Sequence, residues 1–420
     1  MSDLSERLKR LGVLRGVSHL QSHATVPTPP RSGVKGIEHW VPGQVVHNDR
    51  GSFFLAEETF PLDHSHGGIP LSSVMNHSAD LLVQLTGETS LSQLDLRHAV
   101  FLDTETTGLA GGTGTYAFLV GLGYFEGNLF RLFQFFMRDY SEESAMLHHI
   151  AEVMSRLAGI VSFNGRAFDL PLLETRFVLS RLQPDLLKAP HLDLLFPARR
   201  IWRARLASCA LSSLEQGVLG LSRDGRDVPG YLIPDMYFRY LQTRNAAEIH
   251  RVFYHNAQDI LSLVALASHV CSFFHAPDSL ASADGLDLLS IGKLYERRGL
   301  VSESEQTYRH ALRRPLPPTT RDAIIQQLSF LYKRLGRWHE AVELWETLRS
   351  SGQGSIVPHV ELAKYYEHHA RDYDQALAIT SEARRRTAAE PRTSQRDQML
   401  AELDYRISRL HHKTSWQSPH

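Results

Sequence analysis

The residues best suited to chemistry begin at Asp103 and Glu105, in the run Phe101-Leu102-Asp103-Thr104-Glu105-Thr106-Thr107-Gly108-Leu109. In a β-strand, side chains two apart share a face, so these carboxylates project together. Such a pair repels itself unless a cation stands between its members, and hard divalent ions prefer carboxylate oxygens. An acidic strand end with no chemistry has the same local pattern. A further acid, Asp169, follows the apolar run Ile160-Val161-Ser162-Phe163 and the break at Asn164-Gly165. Pro171, just beyond it, suits the first turn of a helix. There Asp169 reads equally as a ligand and as a first-turn acid. The last acid, Asp259, lies on a predicted helix with apolar Val252, Phe253, Ile260, Leu263, Val264 and Ala267. His255 stands four residues earlier, on the same face. Its imidazole is suited to take a proton from water. Each feature alone is ordinary, and a lone His–Asp pair is usually a weak surface contact. The set carries the signal.

In this order the three segments resemble the motifs of the DEDD exonucleases of the ribonuclease-H-like fold. They read "FLDTETTGL", "SFNGRAFDLPLL" and "YHNAQDILSL". The segments "HLDLLFPARRIW", "SCALSSLEQGVLG" and "RDVPGYLIPDMYFRYL" make the chain most similar to the YprB-type branch of that group. The resemblance implies a metal-dependent 3′–5′ exonuclease acting on single-stranded DNA or RNA. It implies that Asp103, Glu105, Asp169 and Asp259 hold two Mg²⁺ or Mn²⁺ ions about 3.5–4 Å apart. His255 would deprotonate or orient the attacking water. By the same resemblance, Thr106, Thr107 and Leu109 meet the terminal nucleotide, and Asn164 and Arg166 are substrate-binding candidates. Phe168, Trp202 and Arg203 are nearby residues able to stack on or pair with a strand, although Phe168 also suits a core. Better-known members place four residues between the His and the final Asp, or three after a Tyr. Here His255 has three and Tyr254 four, so Tyr254 is the alternative base if the helix starts only at Asn256. The rival reading is a nucleic-acid-binding or scaffolding protein built on a regulated or inactive nuclease fold.

The elements that must position these residues alternate. Strands are predicted at 100–102, 118–124 and 129–136, the last two joined by Glu126-Gly127-Asn128. A helix over 142–157 follows, with Met146, Ile150, Val153 and Leu157 on one stripe. This order describes an α/β class, a mixed sheet flanked by helices. It agrees with the implied fold across a domain at 96–275. Residues 1–95 read as an extension. It comprises an amphipathic start at 1–16, a Pro/Ser/Thr/Gly linker at 25–36, and a hairpin from 44–46 and 52–55. His64, His66 and His77 read as solvated loop histidines.

Residues 280–412 change character to Leu-, Tyr- and Arg-rich helices. Tyr295, Tyr332 and Tyr366 recur about every 34–37 residues, followed by Gly299, Gly336 and Arg371. Small Ser304, Ala341 and Ala376, then Ala311, Leu348 and Ala383, keep step. The pattern resembles tetratricopeptide (TPR) repeats and implies a protein partner; a plain helical bundle is the alternative.

A chain of 420 residues can hold two or three domains. The net charge of -1 neither requires nor excludes a nucleic-acid partner. Arg199, Arg200, Arg203 and Arg205 crowd one segment, reading evenly as a basic groove or a solvated helix face. Only Cys209 and Cys271 are present, which gives no disulfide framework and suits a reducing, cytoplasmic setting. Cys209 reads as a buried small residue. No C-x-x-C or H-E-x-x-H pattern suggests zinc. No apolar run is long enough for a membrane span.

Overall fold

The computed structural model describes residues 35–108, 114–182, 188–273, 283–351 and 355–417. The expected N-terminal helix, most of the linker, Leu109 and residues 111–113 lie outside these described residues.

The first part of the fold is built on strands β1 (Gly43–Asn48), β2 (Gly51–Pro61), β5 (Ala99–Thr106), β6 (Ala117–Glu126), β7 (Leu129–Phe136), β8 (Gly159–Ser162) and β9 (His191–Asp193). Two short strands, β3 (Ser65–His66) and β4 (Ile69–Pro70), form a separate ribbon. The seven-stranded sheet has the order β1-β2-β7-β6-β5-β8-β9. The predicted hairpin, β1–β2, belongs to this same sheet, since β2 pairs antiparallel with β7 from Phe54↔Phe136 to Pro61↔Leu129. Strand β5 is antiparallel to β6 and parallel to β8. The chain direction therefore changes beside β5.

Helices cover both faces. They are α1 (Ala79–Thr86), α2 (Glu143–Met154), α3 (Asp169–Leu179), α4 (Leu195–Trp202), α5 (Leu211–Gly217), α6 (Ile233–Thr243) and α7 (Ile249–Ser272). Alternation along β5 assigns its side chains. Phe101 points into a core shared with Ala257, Ile260 and Val264 of α7. Val100 and Leu102 point into the other core, with Met146 and Ile150 of α2 and Leu173 and Phe177 of α3. Burying each such large apolar side chain contributes about 1.5–3 kcal/mol. Along β5, Ala99 to Leu102 are buried and Asp103 to Thr106 are only partly buried. The strand thus runs out of the core, and its acids lie at the less buried carboxyl end.

The C-terminal part is all helical among its described residues: α8 (Gly285–Arg297), α9 (Val301–Leu312), α10 (Pro318–Arg334), α11 (Trp338–Ser350), α12 (Val357–Tyr365), α13 (Tyr373–Ala388) and α14 (Ser394–Gln417). Consecutive helices pack on one another. Gly299, Gly336 and Arg371 all adopt left-handed backbone, at φ 72°, 71° and 55°. Arg371 takes this conformation after a π-helical turn, Tyr366–Ala370. Ser304, Ala341 and Ala376 are fully buried, as close packing between paired helices demands. Leu288 and Ile291 of α8 share a core with Trp202 and Phe273. At that junction Arg205 Nε donates to both oxygens of Asp287, at 2.9 and 3.0 Å. No helix among the described residues is long and apolar enough to cross a membrane.

Candidate active site

Three elements deliver the acids. Asp103 and Glu105 come from the end of β5, and Asp259 from the third turn of α7. Asp169 comes from the first turn of α3, in the opposite layer. Asp169 is held at the strand end by Thr104, whose Oγ1 donates to its Oδ1 at 2.5 Å. Thr104 can do this because it faces away from Asp103 and Glu105, toward the α3 side. The turn before α3 is tight: Asn164 has φ 64°, and its backbone N–H donates to Asp193 Oδ1 at 2.7 Å. Arg166 N–H donates to the other oxygen of Asp193 at 3.1 Å. Buried Asp193 thereby shapes the loop that presents Asp169.

Glu105, His255 and Asp259 offer ligand atoms within 4.8 Å of one another. His255 Nε2 lies 3.8 Å from Glu105 Oε1 and 3.5 Å from Asp259 Oδ2. Helix α7 begins at Ile249, well before Asn256, so the i, i+4 geometry applies to His255 and Asp259. Tyr254 points elsewhere and lies under the Arg226 guanidinium, 4.5 Å from its ring.

The electrostatics are those of crowded anions. Burial, then the charges of Asp259 and Asp169, push the Asp103 carboxyl well above its ordinary range. Burial, then Asp103, Asp259 and Asp169, do the same to Glu105. Burial lifts Asp169 to about 6, although the Thr104 hydrogen bond opposes it. A site so crowded takes up protons or a cation. Its donors are carboxylate oxygens, the set that Mg²⁺ and Mn²⁺ favour, so the residues fit such ions.

A polar scaffold supports these groups, and sequence reasoning assigned it no role. Asn256 is fully buried and donates to Asp103 Oδ2 at 2.8 Å. Gln134 of β7 donates to Asn256 Oδ1 at 2.9 Å and to the Phe253 carbonyl at 2.8 Å. Arg223 pairs with Asp259 Oδ1 and donates from Nε to Glu215 at 2.7 Å. Glu215 in turn accepts from Ser262 Oγ at 2.5 Å, and Ser262 contacts His66 Nε2 at 2.8 Å. His66 is therefore not a solvated loop residue. It is buried in β3, and burial lowers its imidazole to about 4. Two signals were available in the sequence: Gln134 sits between Phe133 and Phe135 in a mostly apolar strand, and Asn256 sits inside the third motif.

Other expected contacts are redistributed. Thr107 donates its N–H to the Tyr116 carbonyl at 2.9 Å, which leaves that group unavailable to a nucleotide. Thr106 Oγ1 donates to the Gly108 carbonyl at 2.9 Å. The Arg166 guanidinium holds Glu88 in two hydrogen bonds, at 3.0 and 2.8 Å. Trp202 is fully buried beside His269 and offers no stacking surface. Phe168, by contrast, is 56 % exposed immediately before Asp169. Arg200 donates to the Leu85 and Thr86 carbonyls at the end of α1, and Arg205 is bound to Asp287. The arginine segment is thus partly structural. Cys209 is half-buried rather than buried, and Cys271 is buried; both are free thiols.

Residues 100–271 match the family model described as the RNase_H superfamily. The chain is also 30 % identical over 374 residues to the uncharacterized protein YprB of Bacillus subtilis (strain 168). That match covers 86 % of each chain. The chain belongs to the family of YprB, and its residues 100–271 form an RNase_H superfamily domain. The matched region spans β5 through α7, the elements that carry all four acids and His255. Membership brings a nuclease-type fold; what the site does must be argued from the site.

Proposed function

We propose that this chain is a metal-dependent nuclease, a DEDD-type 3′–5′ exonuclease of single-stranded nucleic acid. The observation that carries the reading is the meeting of Glu105, His255 and Asp259, from a strand and a helix far apart in sequence, within 4.8 Å. The couplings of Asp103 and Asp169 to the same cluster support it. Asp103, Glu105, Asp169 and Asp259 would hold two Mg²⁺ or Mn²⁺ ions. Bound there, such ions activate water and stabilise the leaving oxygen. His255 Nε2 takes the proton as the water oxygen bonds to phosphorus. The phosphorus–oxygen bond to the leaving 3′-oxygen breaks, and that oxygen is reprotonated from solvent. Exposed Phe168 stands where a terminal base can stack, worth about 1–3 kcal/mol per base. Asn164 lines the same turn.

The C-terminal helices carry no acid of this set. Their left-handed caps and buried small residues support a TPR-like array that binds a protein partner. The test is cleavage of end-labelled single-stranded DNA and RNA, with Mn²⁺ and with chelator. Metal-dependent release of mononucleotides from the 3′ end is expected. Nucleic-acid binding without cleavage under both conditions would favour the rival, a binding or scaffolding protein with a silent site. The Arg223–Asp259 pair, a protein cation already on one acid, is the observation that keeps that rival in view.

A further inference from the structure

Behind His255 stands a carboxylate that the acid set does not include. Asp227 Oδ1 lies 2.7 Å from His255 Nδ1. Asp227 reaches this position from a loop pinned to α7. Arg251, in the first turn of that helix, donates to the Arg226 carbonyl at 3.0 Å and to the Asp227 carbonyl at 2.7 Å. Arg223 Nη1 approaches the same corner, 3.5 Å from Asp227 Oδ1 and 3.1 Å from His255 Nδ1.

These two approaches to Nδ1 make opposite demands. An unprotonated Nδ1 would accept from Arg223, but its lone pair would then face a carboxylate oxygen at 2.7 Å. An ionised carboxylate only accepts, so the shorter contact requires a proton on Nδ1. The Arg223 N–H is then shared with the Asp227 oxygen, which lies within its reach. The other ring nitrogen agrees. Nε2 stands 3.8 Å from Glu105 and 3.5 Å from Asp259, too far to be donating a proper hydrogen bond to either.

We propose that Asp227 is a positioning residue for His255: its carboxylate fixes the Nδ1–H tautomer and keeps the Nε2 lone pair turned toward Glu105 and Asp259. This rests on the reading of His255 as the proton acceptor and explains how it is made ready. A carboxylate behind an imidazole sets its tautomer and ring orientation in other catalytic and metal-binding sites. Here the pair is assembled from a loop and a helix, with Arg251 fixing the loop and Arg223 bracing both acids that flank the ring, Asp227 and Asp259.

The test begins with the full chain, metal-free, labelled with ¹⁵N in histidine and held in alkaline buffer so that the ring is neutral. The signals of His255 are those lost in His255→Gln. Long-range proton–nitrogen correlation should show a protonated Nδ1 and an unprotonated Nε2. Asp227→Asn keeps the shape but can donate its amide to Nδ1, so the proton should move to Nε2. Turnover of a single-stranded oligonucleotide with Mn²⁺ should fall about 10²–10⁴-fold in the same variant, with KM little changed. Asp227→Glu, which keeps a carboxylate, should retain the wild-type tautomer and part of the turnover. An Nε2–H tautomer in the wild-type protein would overturn the proposal, as would an unchanged tautomer or unchanged turnover in Asp227→Asn. Should that variant fail to fold, the wild-type spectrum decides. Failure of the wild-type protein to cleave any oligonucleotide would count against the nuclease reading alone, because the tautomer is read without substrate.

Discussion

Gly121 of β6 lies directly beneath Asn256 of α7. A Cβ added at Gly121 would stand 2.3 Å from Asn256 Oδ1. The pairing register shows why this matters. Asp103, Gly121 and Gln134 form one row across β5, β6 and β7. Asn256 lies over the gap in that row and joins its ends, accepting from Gln134 and donating to Asp103. The missing side chain is therefore what lets a helix amide reach a carboxylate in the sheet. Gly121→Ala should displace the amide and break its bond to Asp103. A hydrogen bond to a charged group contributes about 1.5–3 kcal/mol. The variant should unfold at a lower midpoint in urea and bind Mn²⁺ more weakly by calorimetry. Wild-type values in both measurements would show that Asn256 is not held by this gap.

This relationship was invisible in the sequence because nothing local encodes it. Strand periodicity put Asp103 and Glu105 on one face, and helical spacing put His255 beside Asp259; both are short-range rules. The mixed sheet and the all-helical C-terminal part were legible for the same reason. The row Asp103–Gly121–Gln134 depends on register between strands many residues apart, which sequence pattern does not specify. The same holds for Asp227 and Arg223, which reach the site from a loop with no period at all. His66 failed in the other direction. A Gly/Pro-rich context reads as solvent, yet a two-residue strand buries it against Ser262. Trp202 was misread because aromatic character says nothing of which helix face, α4 against α8, it occupies.

The crowded acids give the metal-free protein a pH dependence whose sign follows from linkage. The Asp169 carboxyl is raised from an ordinary 3.8 to about 6, and Asp103 and Glu105 are raised as well. Raised carboxyls bind more protons in the folded state than in the unfolded one. Stability then falls as pH rises, from near 3.8 through about 6 for Asp169. Metal relieves the same repulsion. The increase in thermal midpoint on adding Mn²⁺ should therefore grow between about pH 5 and pH 7. A metal increment independent of pH would remove the acid cluster as its origin.

His255 and Tyr254 separate cleanly by substitution. The Nε2 of His255 faces Glu105 and Asp259, whereas Tyr254 lies against Arg226. His255→Ala should lower hydrolysis about 10²–10⁴-fold, the usual contribution of a general base. Tyr254→Phe should stay near wild type. The reverse ranking on a 3′-labelled single strand would move the base to Tyr254.

The C-terminal helices do more than follow the RNase_H domain; they complete its core. Trp202, at the end of α4, is fully buried and shares a core with Leu288 and Ile291 of α8. Beside it Asp287, only 3 % exposed, has its carboxyl raised by burial and held down in part by Arg205. Removing one partner of such a pair strands a charge out of water, which typically costs about 3–5 kcal/mol. Arg205 is partly exposed, so the lower end of that range, roughly 3 kcal/mol, is expected for Arg205→Ala. Asp287→Asn in the same chain removes the stranded charge and should recover much of the loss. Urea unfolding of the two variants measures this directly. Neither residue touches the acids, so below its unfolding temperature Arg205→Ala should cleave single strands at the wild-type rate. Equal stability of the two variants would mean the junction is not held by this pair. A chain cut after Phe273 keeps every acid but lays bare the Trp202 face, and it should aggregate unless the newly exposed apolar residues are replaced.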